Sequence, residues 1–241
     1  MNTAAFFDID GTIYRDGLIT EVFKKMVKSE LIDPSAWRDK VAPAYYAWDR
    51  RTGDYDVYLQ KMVDIFKSAT VGISKEHIEH IAKKVIEQKG ERVYLFTRKE
   101  IERHKAEGHI IIAISGSPNE LVKEMARKYD FDDFRGTVYC TDENGKYNGD
   151  IIPMWDRESK HKAVEELKKK YDIDLNESYS YGDTNGDLMM FEMTGHPYAI
   201  NPTRELISRI NSNPDLKKKT NIIVERKDVI YSIDLDTTRF L

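Results

Sequence analysis

The sequence predicts an α/β fold: a mainly parallel sheet between helical layers, interrupted early by an all-helical insert. Three observations predict it. The run Ala4-Ala5-Phe6-Phe7 is a short apolar strand that ends in a carboxylate. Apolar runs alternate with helical periodicity after residue 90, as in repeated strand-helix units. Between about residues 17 and 90 there is helical periodicity and no strand pattern. At 241 residues, the chain is long enough for one large domain or one domain with a modest insertion.

The elements follow in order. Val22, Phe23, Met26 and Val27 share one face of a helix over 20–31, and Tyr58, Met62, Ile65 and Phe66 do the same over 55–68. Ser74 is placed to cap a helix running to residue 88, with Glu76 and Glu79 early and Gly90 at its end. A further helix is expected over 92–107, stopped by Gly108, while Pro34, Pro43 and Gly53 punctuate the insert. Residues 109–114 form a continuous apolar strand, as a sheet covered on both faces requires. It ends at Ser115-Gly116-Ser117-Pro118 and leads to a helix over 120–128. Two short runs flank Asn144-Gly145 within 137–152, a hairpin signal. A helix over 159–171 feeds a strand at 178–181 that ends at Gly182-Asp183, and another strand spans 196–200. Residues 221–225 are a last strand or a tail at a sheet edge, and the remainder has no assignable pattern.

Composition narrows the function classes. Lysine and arginine total 38 against 42 acids, so a net charge of −4 leaves no electrostatic footprint for nucleic acid. The triplets Lys168-Lys169-Lys170 and Lys217-Lys218-Lys219 are expected to be solvated helix faces or ends. Cys140 is the only cysteine, which excludes an intramolecular disulfide and points to a reducing compartment. No apolar run has membrane-spanning length, and the N-terminus lacks a basic and apolar leader pattern. The expectation is a cytoplasmic protein with no membrane partner.

Chemistry concentrates where strands end. Asp8 and Asp10 flank Ile9 before a turn at Gly11, so strand alternation sends both acids to one side. Such a pair can divide labour, one attacking or binding a cation and the other handling protons. The competing reading is an Asp-Gly hairpin turn. Ser115 and Asp183 also stand at strand ends, and ligands in open parallel sheets sit at such ends where strand order reverses. Lys160 lies near the start of the helix before the Asp183 strand, with Lys162 as its competitor. The bland alternatives are that Ser115 is only an N-cap and Asp187 only a cap for the turn that follows it. Asp183-Thr184-Asn185-Gly186-Asp187 opens like an EF-hand loop, but that loop needs glycine and glutamate where Leu188 and Thr194 stand.

Taken in order, these segments resemble the haloacid dehalogenase (HAD) superfamily. Asp8-Ile9-Asp10-Gly11-Thr12 matches its first motif, Ser115 its second, Lys160 its third, and Gly182 to Asp187 its fourth. The stretch from Lys160 through Asp183 to Asn201-Pro202 is similar to the phosphoserine-phosphatase-like branch (subfamily IB), which carries a helical C1 cap between the first two motifs. The resemblance implies a Rossmann-like three-layer core at 1–15 and 91–241, with the cap at 16–90. It implies a Mg²⁺-dependent phosphatase in which Asp8 attacks phosphorus to form an aspartyl-phosphate and also ligates the metal. Asp10 would protonate the leaving alcohol and then activate water, its backbone carbonyl serving as a metal ligand. Asp183 would be the third ligand, and Asp187 would orient metal-bound water or Lys160. Ser115 and the Gly116 N–H would hold phosphoryl oxygens at a helix start, and Lys160 would add charge for the phosphate and Asp8. Thr12 would line the phosphate site and support the geometry around Asp10.

The expected partner is a small phosphorylated metabolite. Positions that contact the amino acid in phosphoserine phosphatases fall near Gly17 and Met62, which disfavours phosphoserine, although Glu21 or Arg15 could compensate. The cap aromatics Trp37, Tyr45, Tyr46, Trp48, Tyr55 and Tyr58 either pack a helical bundle or box a quaternary ammonium such as that of phosphocholine. Two other classes remain open: a phosphotransferase or phosphomutase using the same intermediate, and a non-catalytic receiver-like phosphate module. The intact Asp10 argues against the second.

Overall fold

The computed structural model describes residues 1–53 and 55–238, and of residues 55 and 56 only the backbone. The side chain of Tyr55, one of the cap aromatics, therefore lies outside the described residues. The strands are β1 (Ala4–Phe7), β2 (Ile110–Pro118), β3 (Asp133–Thr141), β4 (Tyr147–Ile152), β5 (Tyr179–Gly182), β6 (His196–Ile200), β7 (Asn221–Arg226) and β8 (Val229–Ile233). They form one sheet in the order β4-β3-β2-β1-β5-β6-β7-β8. The pairs from β3 through β7 are parallel, and antiparallel β4 and β8 close the two edges. Strand order runs outward in opposite directions from β1, so the β1/β5 boundary is the switch point.

Alternation along the strands builds two cores. Ala5, Phe7, Ile111, Ala113 and Tyr181 face one apolar cluster. Ala4, Phe6, Ile112 and Ile114 face the other. The first is covered by α1 (Leu18–Lys28), α4 (Tyr55–Thr70), α5 (Lys75–Lys89), α6 (Leu95–Ala106) and α7 (Asn119–Lys128). The second is covered by α8 (Arg157–Tyr171), α9 (Leu188–Met193), α10 (Arg204–Ser212) and α11 (Pro214–Lys219). Both faces of the central strands are thus apolar, which explains why residues 109–114 read as an unbroken hydrophobic run. Among the described residues no helix is long and apolar enough to cross a membrane.

Several boundaries differ from the sequence-based expectation for local reasons. Residues 33–49 carry Pro34–Ala36 as α2, a π-helical turn at Trp37–Val41, and α3 (Ala42–Asp49), with prolines in the opening turns of α2 and α3. β2 continues through Pro118, its register with β3 shifting between Ile114 and Pro118. β3 starts at Asp133, earlier than the hairpin signal, because its first residues pair in parallel with β2 before the antiparallel partner β4. The strand at 221–226 is internal, and β8 covers its far side.

The helix expected over 92–107 starts only at Leu95, since Val93 is held by a bridge to Tyr14. Its opening is capped from far away. Glu225 on β7 accepts the backbone N–H groups of Leu95 (3.0 Å) and Phe96 (2.8 Å), and its carboxylate pairs with Arg15 at 3.1 Å. Glu225 is buried, so nothing replaces it locally. Glu225→Ala is expected to lower unfolding free energy in urea by about 2 kcal/mol through lost charge-assisted hydrogen bonds.

Candidate active site

Where β1 ends, the Asp8 N–H still donates to the Tyr181 carbonyl (2.9 Å), keeping Asp8 in register with β5. The chain then turns tightly: the amides of Ile13 and Tyr14 return to the Ile9 carbonyl, and Gly11 adopts φ +79°. A Cβ at Gly11 would intrude on the Asp183 carboxylate, so this turn requires glycine both for its dihedral and for close approach. Gly182 is likewise crowded by the Asp187 side chain.

The ends of β1 and β5 bring three carboxylates together. One oxygen each of Asp8, Asp183 and Asp187 lies within 4.8 Å of the others. Lys160, only 3% exposed, extends from the first turns of α8 and bonds Asp8 at 2.8 Å and Asp187 at 2.5 Å. Its position is fixed because Asp156 caps α8, accepting the Ser159 N–H at 2.8 Å. Lys162, the competing lysine, is exposed. Asp187 Oδ2 meanwhile accepts the N–H groups of Asp183 and Thr184, each at 3.1 Å, tying the loop to the cluster.

One ammonium does not neutralise three carboxylates. Burial raises Asp8 to about 8, with Asp187 and Asp10 adding repulsion against the pull of Lys160. Burial and the charges of Asp8 and Asp187 hold Asp183 well above its ordinary range. Lys160 is raised despite its burial, held cationic by Asp187 and Asp8. The cluster is therefore short of positive charge, and its donors are hard oxygens. Such a donor set could hold a hard divalent cation.

Asp10 faces away from this cluster. Its Oδ2 accepts from Ser117 Oγ (2.5 Å) and Ser115 Oγ (3.4 Å), and its Oδ1 accepts the Leu18 N–H (2.7 Å) at the start of α1. Burial raises its pKa against the opposing effect of these donors, favouring a form that can give up a proton.

Other residues take places different from those expected. The Thr12 hydroxyl donates to Asp183 Oδ1 at 3.2 Å rather than supporting Asp10, because the Gly11 turn carries it toward the β5 end. Ser115 is fully buried, and its Oγ accepts the Ser117 N–H at 3.2 Å while reaching Asp10. Gly116 lies within β2, whereas α7 begins at Asn119, so the Gly116 N–H is not in a first helical turn. Ser117, to which sequence reasoning gave no role, is the closest partner of Asp10; its i+2 spacing from Ser115 along an extended strand was the available signal. Asn185 Oδ1 is buried without a partner among the described residues.

A family profile described as haloacid dehalogenase-like hydrolase matches residues 5–192. A probable phosphatase of Mycobacterium tuberculosis (strain H37Rv) is 27% identical over 205 residues, covering 85% of this chain and 70% of that one. The inhibition of morphological differentiation protein of Streptomyces azureus is 25% identical over 205 residues, covering 85% and 73%. The structure of a substrate-bound phosphoserine phosphatase complex shares the fold with a TM-score of 0.60 at 19% identity, covering 95% of each chain. Fold, acid cluster and relatives together define a phosphoric monoester hydrolase. The chain belongs to the haloacid dehalogenase-like hydrolases.

Proposed function

We propose that this protein is a Mg²⁺-dependent phosphatase that cleaves a small phosphate monoester through an aspartyl-phosphate on Asp8. The observation that carries the reading is the division of the acids. Asp8 is shared between Lys160 and a carboxylate cluster, while Asp10 stands apart among hydrogen-bond donors. An ester dianion repels a carboxylate nucleophile, so attack needs positive charge beside the reacting oxygens. Asp8 and Asp183 would hold Mg²⁺ with the Asp10 carbonyl, and Asp187 would orient its waters or Lys160. The ion supplies charge neutralisation for the phosphoryl oxygens.

In the first step an Asp8 oxygen forms the new bond to phosphorus as the ester oxygen leaves, taking its proton from Asp10. In the second, Asp10 removes a proton from water, which attacks the acyl-phosphate and restores Asp8. Lys160 holds the Asp8 carboxylate in place throughout, and Ser115 and Ser117 fix the Asp10 carboxyl. Asp10→Asn is expected to lower kcat on alkyl phosphates by about 10²- to 10⁴-fold, the usual contribution of a positioned acid-base group. The loss should be much smaller on p-nitrophenyl phosphate, whose leaving group needs no proton. An equal loss on both substrates would remove the acid role.

Residues 16–90 serve, in this reading, as a cap over the sheet edge that selects the leaving group. The Leu18 N–H on Asp10 ties the first turn of that segment to the acid. A hollow of about 170 Å³ in the insert is lined by Asp16, Thr20, Lys24, Trp37, Tyr45, Trp48 and Asp49. Two of its aromatic rings also pack on Tyr58, Trp48 at 5.7 Å and Tyr45 at 5.4 Å. A small leaving group with polar and apolar parts fits this lining. Phosphoserine fits it less well: Met62 is buried in the core, Arg15 is held by Glu225, and Glu21 pairs with Lys24 and Arg92. The single cysteine suits a reducing, cytoplasmic setting. The test is a screen of phosphomonoesters with and without Mg²⁺, following both inorganic phosphate and transfer to added alcohols. Metal-independent release, or transfer in place of release, would overturn the proposal.

A further inference from the structure

A second cluster of ligating side chains lies away from the carboxylates, at the end of α6. Glu107 caps that helix, Gly108 reverses the chain at φ +71°, and the His109 N–H donates back to the His104 carbonyl at 3.0 Å. The reversal lays the ring of His109 against that of His104, with their Nδ1 atoms 2.8 Å apart. Glu107 Oε2 is 3.6 Å from His109 Nδ1, and one ligand atom from each of the three residues lies within 4.8 Å of the others. His109 immediately precedes β2, whose first residue is in register with Ala4, whereas Asp8 follows the far end of β1. The two clusters belong to opposite ends of the parallel strands.

The surrounding bonds bear on which nitrogen of His104 carries its proton. The Tyr181 hydroxyl donates its single proton to Glu100 at 2.7 Å. Tyr181 Oη can then accept from His104 Nε2, 2.9 Å away, and from Arg103 at 3.3 Å, whose same nitrogen also lies 3.2 Å from His104 Nε2. With the proton on Nε2, the Nδ1 lone pair of His104 points at His109. A ligating histidine is oriented in this way, its other ring nitrogen donating to a fixed acceptor. The His104 ring is fully buried, edge-on to Phe7 at 6.1 Å and to Tyr179 at 4.6 Å, so its aim is locked by packing. The opposite side is open: the His109 side chain is 17% exposed and that of Glu107 44%.

We propose that His104, Glu107 and His109 form a divalent-metal site of the zinc class, separate from the carboxylate cluster. Two imidazoles and one carboxylate suit Zn²⁺, Co²⁺ or Ni²⁺ rather than Mg²⁺, and they leave a further position for water. Two nitrogens on one tetrahedral zinc lie about 3.3 Å apart, so binding requires the partly exposed His109 ring to swing outward slightly and to move its proton from Nδ1 to Nε2, freeing an Nδ1 lone pair. Glu107 Oε2, the oxygen nearest His109, also pairs with Arg103 at 2.9 Å, and the other carboxylate oxygen adds acceptor capacity. The Arg103 charge is itself matched by Glu100 at 2.7 Å.

The test is metal titration of the full chain with Zn²⁺ against a chromophoric chelator, in excess Mg²⁺, together with the visible spectrum on adding Co²⁺. The expected result is one tightly held Zn²⁺ per chain and a Co²⁺ spectrum of low coordination number, both retained in Asp183→Asn. His109→Gln and Glu107→Gln should each weaken Zn²⁺ binding at least tenfold while circular dichroism stays native. Both positions are partly exposed, so neither variant endangers the core. Absence of tight Zn²⁺ binding, or tight binding unchanged by His109→Gln, would overturn the proposal and leave the histidine pair as a hydrogen bond. Neither readout depends on turnover, so a failure here is distinct from a failure of the phosphatase reading.

Discussion

Asp8→Asn is expected to lower turnover of any phosphomonoester by at least about 10⁴-fold while the protein stays folded, because the amide keeps the shape of the carboxylate and loses its nucleophilicity. The electrostatics add a second, independent expectation. Burial raises Asp8 from 3.8 to about 8, so the fold favours its protonated form. A carboxyl raised in this way contributes stability that is present below its unfolded pKa and is lost as pH rises through the folded value. Without divalent cations, wild type should therefore lose stability between about pH 4 and pH 8 that the amide variant keeps. Thermal melts in chelator across that window measure the difference. A gap that stays flat or reverses would mean that Asp8 is not in the crowded, charge-deficient environment described. Adding Mg²⁺ should raise the wild-type melting temperature more than that of the variant.

Removing the cation is expected to do the larger structural damage. Lys160→Met replaces a buried ammonium by an apolar chain of similar length and leaves Asp8 and Asp187 without the lysine that bonds both. Breaking a buried ion pair by deleting one side costs about 3–5 kcal/mol, since the partner charge stays desolvated. Turnover should be lost with it. Urea unfolding of Lys160→Met beside Lys162→Met makes the comparison internal: the exposed lysine should change stability by no more than about 0.5 kcal/mol. Equal effects at the two positions would remove Lys160 from the cluster.

Much of this architecture is legible in the sequence, and for definable reasons. Continuous apolar strands, the Asn144-Gly145 hairpin and the capped helix after Ser74 are local signals, decided by residues next to one another. Strand-end polar groups are legible because side-chain alternation fixes the direction of Asp8 and Asp10 once β1 is recognised. What escapes is set by distant partners. The start of α6 depends on Glu225, 130 residues away from Leu95, and no local pattern announces it. Ser117 reaches Asp10 across 107 positions, so its importance exists only in the assembled sheet. The destination of the Thr12 hydroxyl turns on the left-handed Gly11, a dihedral that the sequence permits but does not demand. The helices at 204–219 are short and hold their places through three packed residues, Leu206, Ile210 and Leu216, too few for a clear periodic signal.

The place of β1 in the middle of the sheet has a kinetic consequence. It is the earliest strand in the chain, yet its two neighbours begin at Ile110 and Tyr179. Closing loops of that length before any ladder forms makes for a high contact order and a slow search. During synthesis the first strand must wait, apolar on both faces, until most of the polypeptide has left the ribosome. Such a chain should lean on chaperones more than its moderate size suggests.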